Sequence, residues 1–165
     1  MYSTQVSQYV NAPPAAVYRA LLSADAINKW RVPAGMSSRV HEFDARAGGR
    51  FRVSLTYDAP DNAGKSTSHT DTYHGHFAKL VPNEQVVEVL EFETADTALQ
   101  GTMTMTTTLT DAGDGTDVVV VHDGIPDSVP REDNETGTRL ALANLASLVE
   151  ANERGSGALG RSMPV

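Results

Sequence analysis

The sequence predicts an α+β fold in which a curved antiparallel sheet wraps around one long C-terminal helix, with two short helices after the first strand. Three observations lead there. Between about residues 39 and 122, apolar residues recur with a period of two in six successive segments, separated by short turns bearing Gly, Pro or Asn. Residues 12–30 carry helical spacing instead. Beyond Pro130, Leu140, Leu142, Leu145, Leu148 and Val149 form the broad apolar stripe of a long helix.

The elements follow in order. Gln5 to Val10 reads as a short strand. Asn11 is placed to cap the next helix, whose first turn tolerates Pro13 and Pro14. Val17, Leu21 and Leu22 continue it, Asp25 to Trp30 makes a second short helix, and Pro33 and Gly35 end the pair. Arg39 to Asp44 is a strand, Ala47-Gly48-Gly49 a tight turn, and Phe51 to Tyr57 a cleanly alternating strand. Asp58 to Lys65 reads as a hairpin loop. Thr70 to Leu80 returns, turned by Pro82-Asn83. Val86 to Thr94, Gly101 to Leu109 and Thr116 to His122 complete an antiparallel meander, because short loops join neighbouring strands. The last helix ends near Asn152. Residues 1–154 thus make one domain, and the Gly- and Ser-rich residues 155–165 are expected to be a flexible tail.

Composition narrows the function. A chain of 165 residues suits one domain with its own core. It has no cysteine, which excludes disulfides, thiolate metal sites and a cysteine nucleophile. A net charge of −8, with no basic cluster denser than Arg46, Arg50 and Arg52, argues against nucleic acid. The N-terminus lacks signal-peptide features and no segment is apolar enough for a membrane span, so the expected location is the cytoplasm. No nucleophile elbow and no dinucleotide loop occurs. No cofactor is expected. The oligomeric state stays open, with a homodimer among the options.

A sheet of this width curls, and one helix does not fill its concave side. The expected remainder is a cavity for a small hydrophobic or aromatic molecule. The single Trp, with Gly75 and Ala78 in mid-strand, is read as favouring open space there. Alternation assigns the walls. Phe51, Val53, Leu55 and Tyr57 face in, as do Met103, Met105, Thr107 and Leu109, and Val118, Val120 and His122. Of the two faces of the fifth strand, Val86, Glu88, Leu90 and Phe92 is the bulkier and is assigned inward, which buries Glu88. Because the strands alternate in direction, Tyr57, Asp71, Tyr73, Phe92, Met103 and His122 should gather at one end of the sheet, near Trp30. The candidate ligand contacts are therefore Trp30, Tyr57, Asp71, Tyr73, Glu88, Leu90, Phe92, Met103, Met105 and His122.

Each titratable candidate has two readings. His122 is a general base if Asp71 or Glu88 lies beside it, or a structural group bonded to a loop carbonyl. Glu88 is a catalytic acid, or the partner of a buried Arg or Tyr. His74 and His76 have a spacing zinc could use, but Tyr73, Gly75 and Phe77 claim the inner face, which leaves both histidines in water and predicts no metal.

Several segments resemble a known family. Ala12-Pro13-Pro14-Ala15-Ala16-Val17-Tyr18-Arg19-Ala20-Leu21 with Trp30, Phe43-Asp44-Ala45-Arg46-Ala47-Gly48-Gly49-Arg50-Phe51, Tyr73-His74-Gly75-His76-Phe77, Gly115-Thr116 and His122-Asp123-Gly124 are similar to the START-like (SRPBCC) superfamily. The nearest branch is that of bacterial homologues of the activator of heat-shock protein 90 ATPase. The resemblance implies a helix-grip fold over most of residues 3–153, and a cavity that takes lipids, polyketides or other hydrophobic molecules in different relatives. In this family the last helix commonly begins with Gly-Trp, where this chain has Gly137-Thr138. The leading expectation is a binding module for a small hydrophobic molecule rather than an enzyme. The alternatives are a cofactor-free cyclase or hydrolase using His122 with Glu88 or Asp71, and a chaperone partner of the ATPase-activator kind.

Overall fold

The computed structural model describes residues 1–58 and 70–162, with side chains of the last helix described to residue 155. Most of the hairpin loop expected at Asp58 to Lys65, and the last three residues, lie outside the described residues. Among the described residues seven strands form one antiparallel sheet: β1 (Tyr2–Val10), β2 (Met36–Phe43), β3 (Arg50–Tyr57), β4 (Thr70–Val81), β5 (Gln85–Phe92), β6 (Met103–Asp111) and β7 (Thr116–Ile125). Their order is β1-β7-β6-β5-β4-β3-β2, so the meander runs from β2 to β7 and β1 closes on β7. The described α-helices are α1 (Pro14–Leu21), α2 (Ala24–Trp30) and α3 (Arg131–Ser162). No described helix is long and apolar enough to cross a membrane.

The predicted alternation holds. Phe51, Val53, Val86, Leu90, Met103, Leu109, Val118 and Val120 are buried on the concave face, together with Leu142, Leu145, Ala146 and Val149 from α3. Leu140, expected in the same stripe, is 55 % exposed, because α3 begins at Arg131 and its buried side falls on Leu142 and Leu145. Gly137-Thr138 accordingly lies inside α3 rather than at its start, and Thr138 Oγ1 donates back to the Asn134 carbonyl. The helix also continues to Ser162, past the end read near Asn152.

Local chemistry explains the helix starts. α1 begins on Pro13 and Pro14 without a side-chain cap. The Asn11 cap is not formed; the Asn11 backbone N–H donates instead to Glu150 on α3. α2 is capped by Ser23, whose Oγ accepts from the Ala26 N–H, and this satisfies one of the free donors of its first turn.

The segment Phe43 to Phe51, the most specific part of the resemblance, is a structural corner. Gly48 turns with φ +80°, and a Cβ on Gly49 would lie 2.0 Å from the Asp44 carbonyl oxygen. Gly48 and Gly49 exchange backbone hydrogen bonds with Phe77 on β4. The flanking phenylalanines pack on the same residue, with Phe43 and Phe51 ring centres 5.6 and 5.2 Å from that of Phe77. The corner thus fills part of the concave side with aromatic rings.

Gly75 and Ala78 do not open space, contrary to expectation. A Cβ on Gly75 would sit 2.0 Å from the Val89 carbonyl oxygen, so the glycine lets the β5 backbone approach closely. Ala78 is the extra residue where the β4–β5 register shifts, and it is exposed.

Candidate functional site

Pairing registers place Phe77, Glu88, Met105 and His122 in one row across β4, β5, β6 and β7 on the concave face. Directly opposed residues of adjacent strands point to the same side, with Cβ atoms roughly 5 Å apart. Arg31, just past the end of α2, reaches over this row. Its Nη1 donates to Glu88 Oε1 at 2.8 Å, and its Nη2 approaches the Met105 sulfur at 3.5 Å. Its guanidinium carbon also lies 5.9 Å from the Trp30 ring centre and 5.4 Å from that of Tyr73. Both partners of the ion pair are largely buried, with side-chain exposures of 13 % and 8 %. Burial works against the guanidinium charge, but the Glu88 carboxylate, Tyr73 and the Glu88 hydrogen bond outweigh it and raise the Arg31 pKa. The pair is therefore a fixed internal dipole. Burial likewise raises the Tyr73 hydroxyl, with Arg31 acting against it and Glu88 with it.

Arg31 is the residue that the sequence reading missed. The signal was present: burying Glu88 required an Arg or Tyr, and Arg31 adjoins Trp30, already placed at that end of the sheet. Trp30 itself is buried, with its indole N–H donating to the Ala20 carbonyl at 3.1 Å.

His122 closes the row. Its Nδ1 lies 3.1 Å from Asn134 Nδ2 on α3, and Asn134 Oδ1 accepts from Thr4 Oγ1 on β1 at 2.6 Å. Its Nε2 is buried with no hydrogen-bond partner among the described residues. Burial, reinforced by the Arg31 charge and opposed by Asp123, pulls its pKa down to about 4. Asn134 was also missed, because the start of α3 is not marked by apolar spacing.

The other candidates divide into two groups. Tyr73, Leu90 and Met103 are buried, while Tyr57, Phe92 and Met105 face inward and remain partly exposed. Asp71 is buried on β4, level with Leu55 on β3. Three strand spacings, on the order of 14 Å, separate β4 from β7. Asp71 is thus at the shared end of the sheet but not beside His122, and the described hydrogen bond of His122 goes to an amide rather than to a carboxylate. A second buried polar atom without a described partner, Ser38 Oγ, lies in the Asp71 and Leu55 row.

Two grooves lie away from these groups. One, of about 870 Å³, runs between the start of α1 and the far ends of β4 to β6, near Pro14, Pro82 and Thr110. A smaller one, of about 310 Å³, separates α1 and α2 from the end of α3. Neither contains a candidate residue. His74 is on the convex face, as expected, and His76 is exposed. Among the described residues no group of three or more His, Asp or Glu is arranged to hold a metal.

A meandering sheet gripping a long C-terminal helix, with a polar row buried between them, defines a helix-grip domain of the START-like kind. The chain belongs to the family of Activator of Hsp90 ATPase homolog 1-like proteins, whose model matches residues 11–150. It is similar to a crystallised protein of Chromobacterium violaceum, at 33 % identity over 90 % of this chain and 97 % of that one, with a TM-score of 0.80. An AHSA1-like protein of Aeromonas hydrophila, solved in solution, shares 19 % identity over 92 % and 94 % of the two chains, with a TM-score of 0.69. A crystallised protein of Rhodobacter sphaeroides matches at 18 % identity over 91 % and 93 %, with a TM-score of 0.75. No curated protein matches the chain.

Proposed function

We propose that this protein binds a small, largely apolar molecule against the concave face of the sheet, beneath α3. The observation that carries the reading is where the unsatisfied groups lie. Among the described residues, the buried side-chain atoms without a hydrogen-bond partner are Ser38 Oγ and His122 Nε2, and both are on this face. Buried polar atoms are normally paired, so an orphan on a common wall is a place to look for a ligand. The two lie five strands apart, Ser38 beside Leu55 and His122 beside Met105, and Leu55, Phe92 and Met105 pack on the core between sheet and helix while only partly buried. Met105 adds a surface that adapts to different shapes.

A cyclase or hydrolase reading has less support. Glu88 is committed to Arg31, and the described hydrogen bond of His122 goes to the Asn134 amide rather than to a carboxylate that would orient and strengthen a general base. The family description supports a third reading, stimulation of a chaperone ATPase, which would use an outer surface rather than the concave face.

Native mass spectrometry of the purified protein, followed by extraction of anything bound, tests the proposal. A stoichiometric hydrophobic passenger is the expected result. A protein that is empty and also ignores a broad panel of hydrophobic probes would sink it, and stimulation of Hsp90 ATPase turnover would then favour the third reading.

A further inference from the structure

The orphan on His122 is more informative than a gap in hydrogen bonding, because its neighbours fix what it offers. The Thr4 hydroxyl donates to Asn134 Oδ1, which leaves the Asn134 amide N–H₂ facing His122 Nδ1. In this orientation of the Asn134 amide the N–H₂ donates to Nδ1, which places the single ring proton on Nε2. The imidazole is therefore neutral and held in one tautomer by a single partner, Asn134 of α3, which Thr4 of β1 in turn orients. The locked N–H is itself buried, on a residue only 8 % exposed.

The neighbouring charges narrow the acceptor. The nearest cation on the face, Arg31, is already neutralised by Glu88 at 2.8 Å. A carboxylate or phosphate entering here would meet a neutral donor and a compensated ion pair, and its own desolvation would go unrepaid. An uncharged acceptor carries no such cost. We infer that the molecule held on the concave face is apolar but bears a neutral hydrogen-bond acceptor, a ketone, ester or amide carbonyl, taken by His122 Nε2–H. This rests on the binding function proposed above and makes His122 the residue that sets its specificity.

Three naphthalenes of similar size test it: 2-acetylnaphthalene, 2-isopropylnaphthalene and 2-naphthoate, each titrated by intrinsic fluorescence or calorimetry into the full-length protein. The ketone should bind about tenfold more tightly relative to the hydrocarbon in the wild type than in His122→Phe, the effect of one buried hydrogen bond and of not stranding its donor. Asn134→Leu, which keeps the imidazole but removes the lock, should lose several-fold of the same preference. Nitrogen-15 chemical shifts of the His122 ring report the tautomer without any ligand, and should show the proton on Nε2. Equal ketone-to-hydrocarbon ratios in wild type and His122→Phe would overturn the inference and leave the binding function standing. So would a proton found on Nδ1, or naphthoate binding more tightly than the ketone. If none of the three naphthalenes binds, the binding function falls and this inference with it.

Discussion

The two faces of the same strands treat charge in opposite ways. On the convex face, Arg52 grips Glu93 through two hydrogen bonds of 2.7 and 2.8 Å, and His74 sits between Glu93 and Glu91 at 2.9 Å from each. Ser54 links Thr72 to His41 beside them. Every one of these groups has a described partner, and most are open to water. On the concave face there are fewer polar groups, and those of the central row are largely withdrawn from water. One pair, Arg31 and Glu88, is satisfied, while Ser38 and His122 each hold an atom without a described partner. Charge on the outside keeps the sheet solvated, whereas the same chemistry on the inside is costly unless it does something. That contrast is the main physical reason for placing function on the concave side.

The largest expected effect breaks the inner pair. Glu88→Ala strands a buried guanidinium, and Arg31→Ala strands a buried carboxylate, so each should cost about 3–5 kcal/mol in urea denaturation. The double change Arg31→Met with Glu88→Leu removes both charges, and should recover most of that loss. If the double variant is as unstable as the singles, the cost lies in packing against Trp30 and Tyr73 rather than in unpaired charge.

The next effect separates the faces by pH. The folded state holds His122 near pKa 4 against an ordinary 6.5, so between those values the unfolded chain binds more protons. Stability from this residue is complete above about pH 6.5, falls as the pH drops, and levels off below about 4. Between pH 7 and pH 5 the loss should be about 2 kcal/mol. His122→Phe should flatten that part of the profile. The convex face works in a lower window. The Arg52 hydrogen bond, against burial and with help from His74, holds the Glu93 carboxyl at about 2, so its contribution is present above about 4.5 and is lost as the pH falls towards 2. A urea series at pH 7, 5 and 3 distinguishes the two windows.

Which face each residue occupies was legible in the sequence, because the period of two is strict from Phe51 to Tyr57 and again from Met103 to Leu109. The assignment of Glu88 inward, and its need for a cationic or hydroxyl partner, followed from the same rule. The partner's type and its end of the sheet were legible beside Trp30, but the pairing itself was not, because Arg31 comes from outside the sheet and only the tertiary position of α2 brings it over Glu88. Gly75 was misread for a related reason. A glycine in a strand signals either spare volume or close backbone approach, and the choice depends on β5, which the local sequence does not contain. The tautomer lock on His122 needs β1, β7 and α3 together, three elements spread across the whole chain.

The smallest expected effect lies on the convex face, and it makes the comparison quantitative. Arg52→Ala removes the main cause of the low Glu93 pKa but leaves His74 beside the carboxylate. Both side chains are in contact with water, 47 % and 29 % exposed, and ions screen such pairs well. At pH 7 the variant should therefore lose less stability than either inner single variant, and the difference from wild type should shrink further in 1 M salt. The carboxyl carbon of Glu93, followed by NMR, should titrate higher than its wild-type value of about 2. The inner pair should show the opposite salt behaviour: Glu88→Ala should stay nearly as destabilised in 1 M salt as in dilute buffer, because counter-ions do not reach a side chain shut between the sheet and α3. If salt rescued the two variants equally, the concave row would be open to solvent, and the desolvation argument for a neutral ligand would fail along with the contrast between the faces.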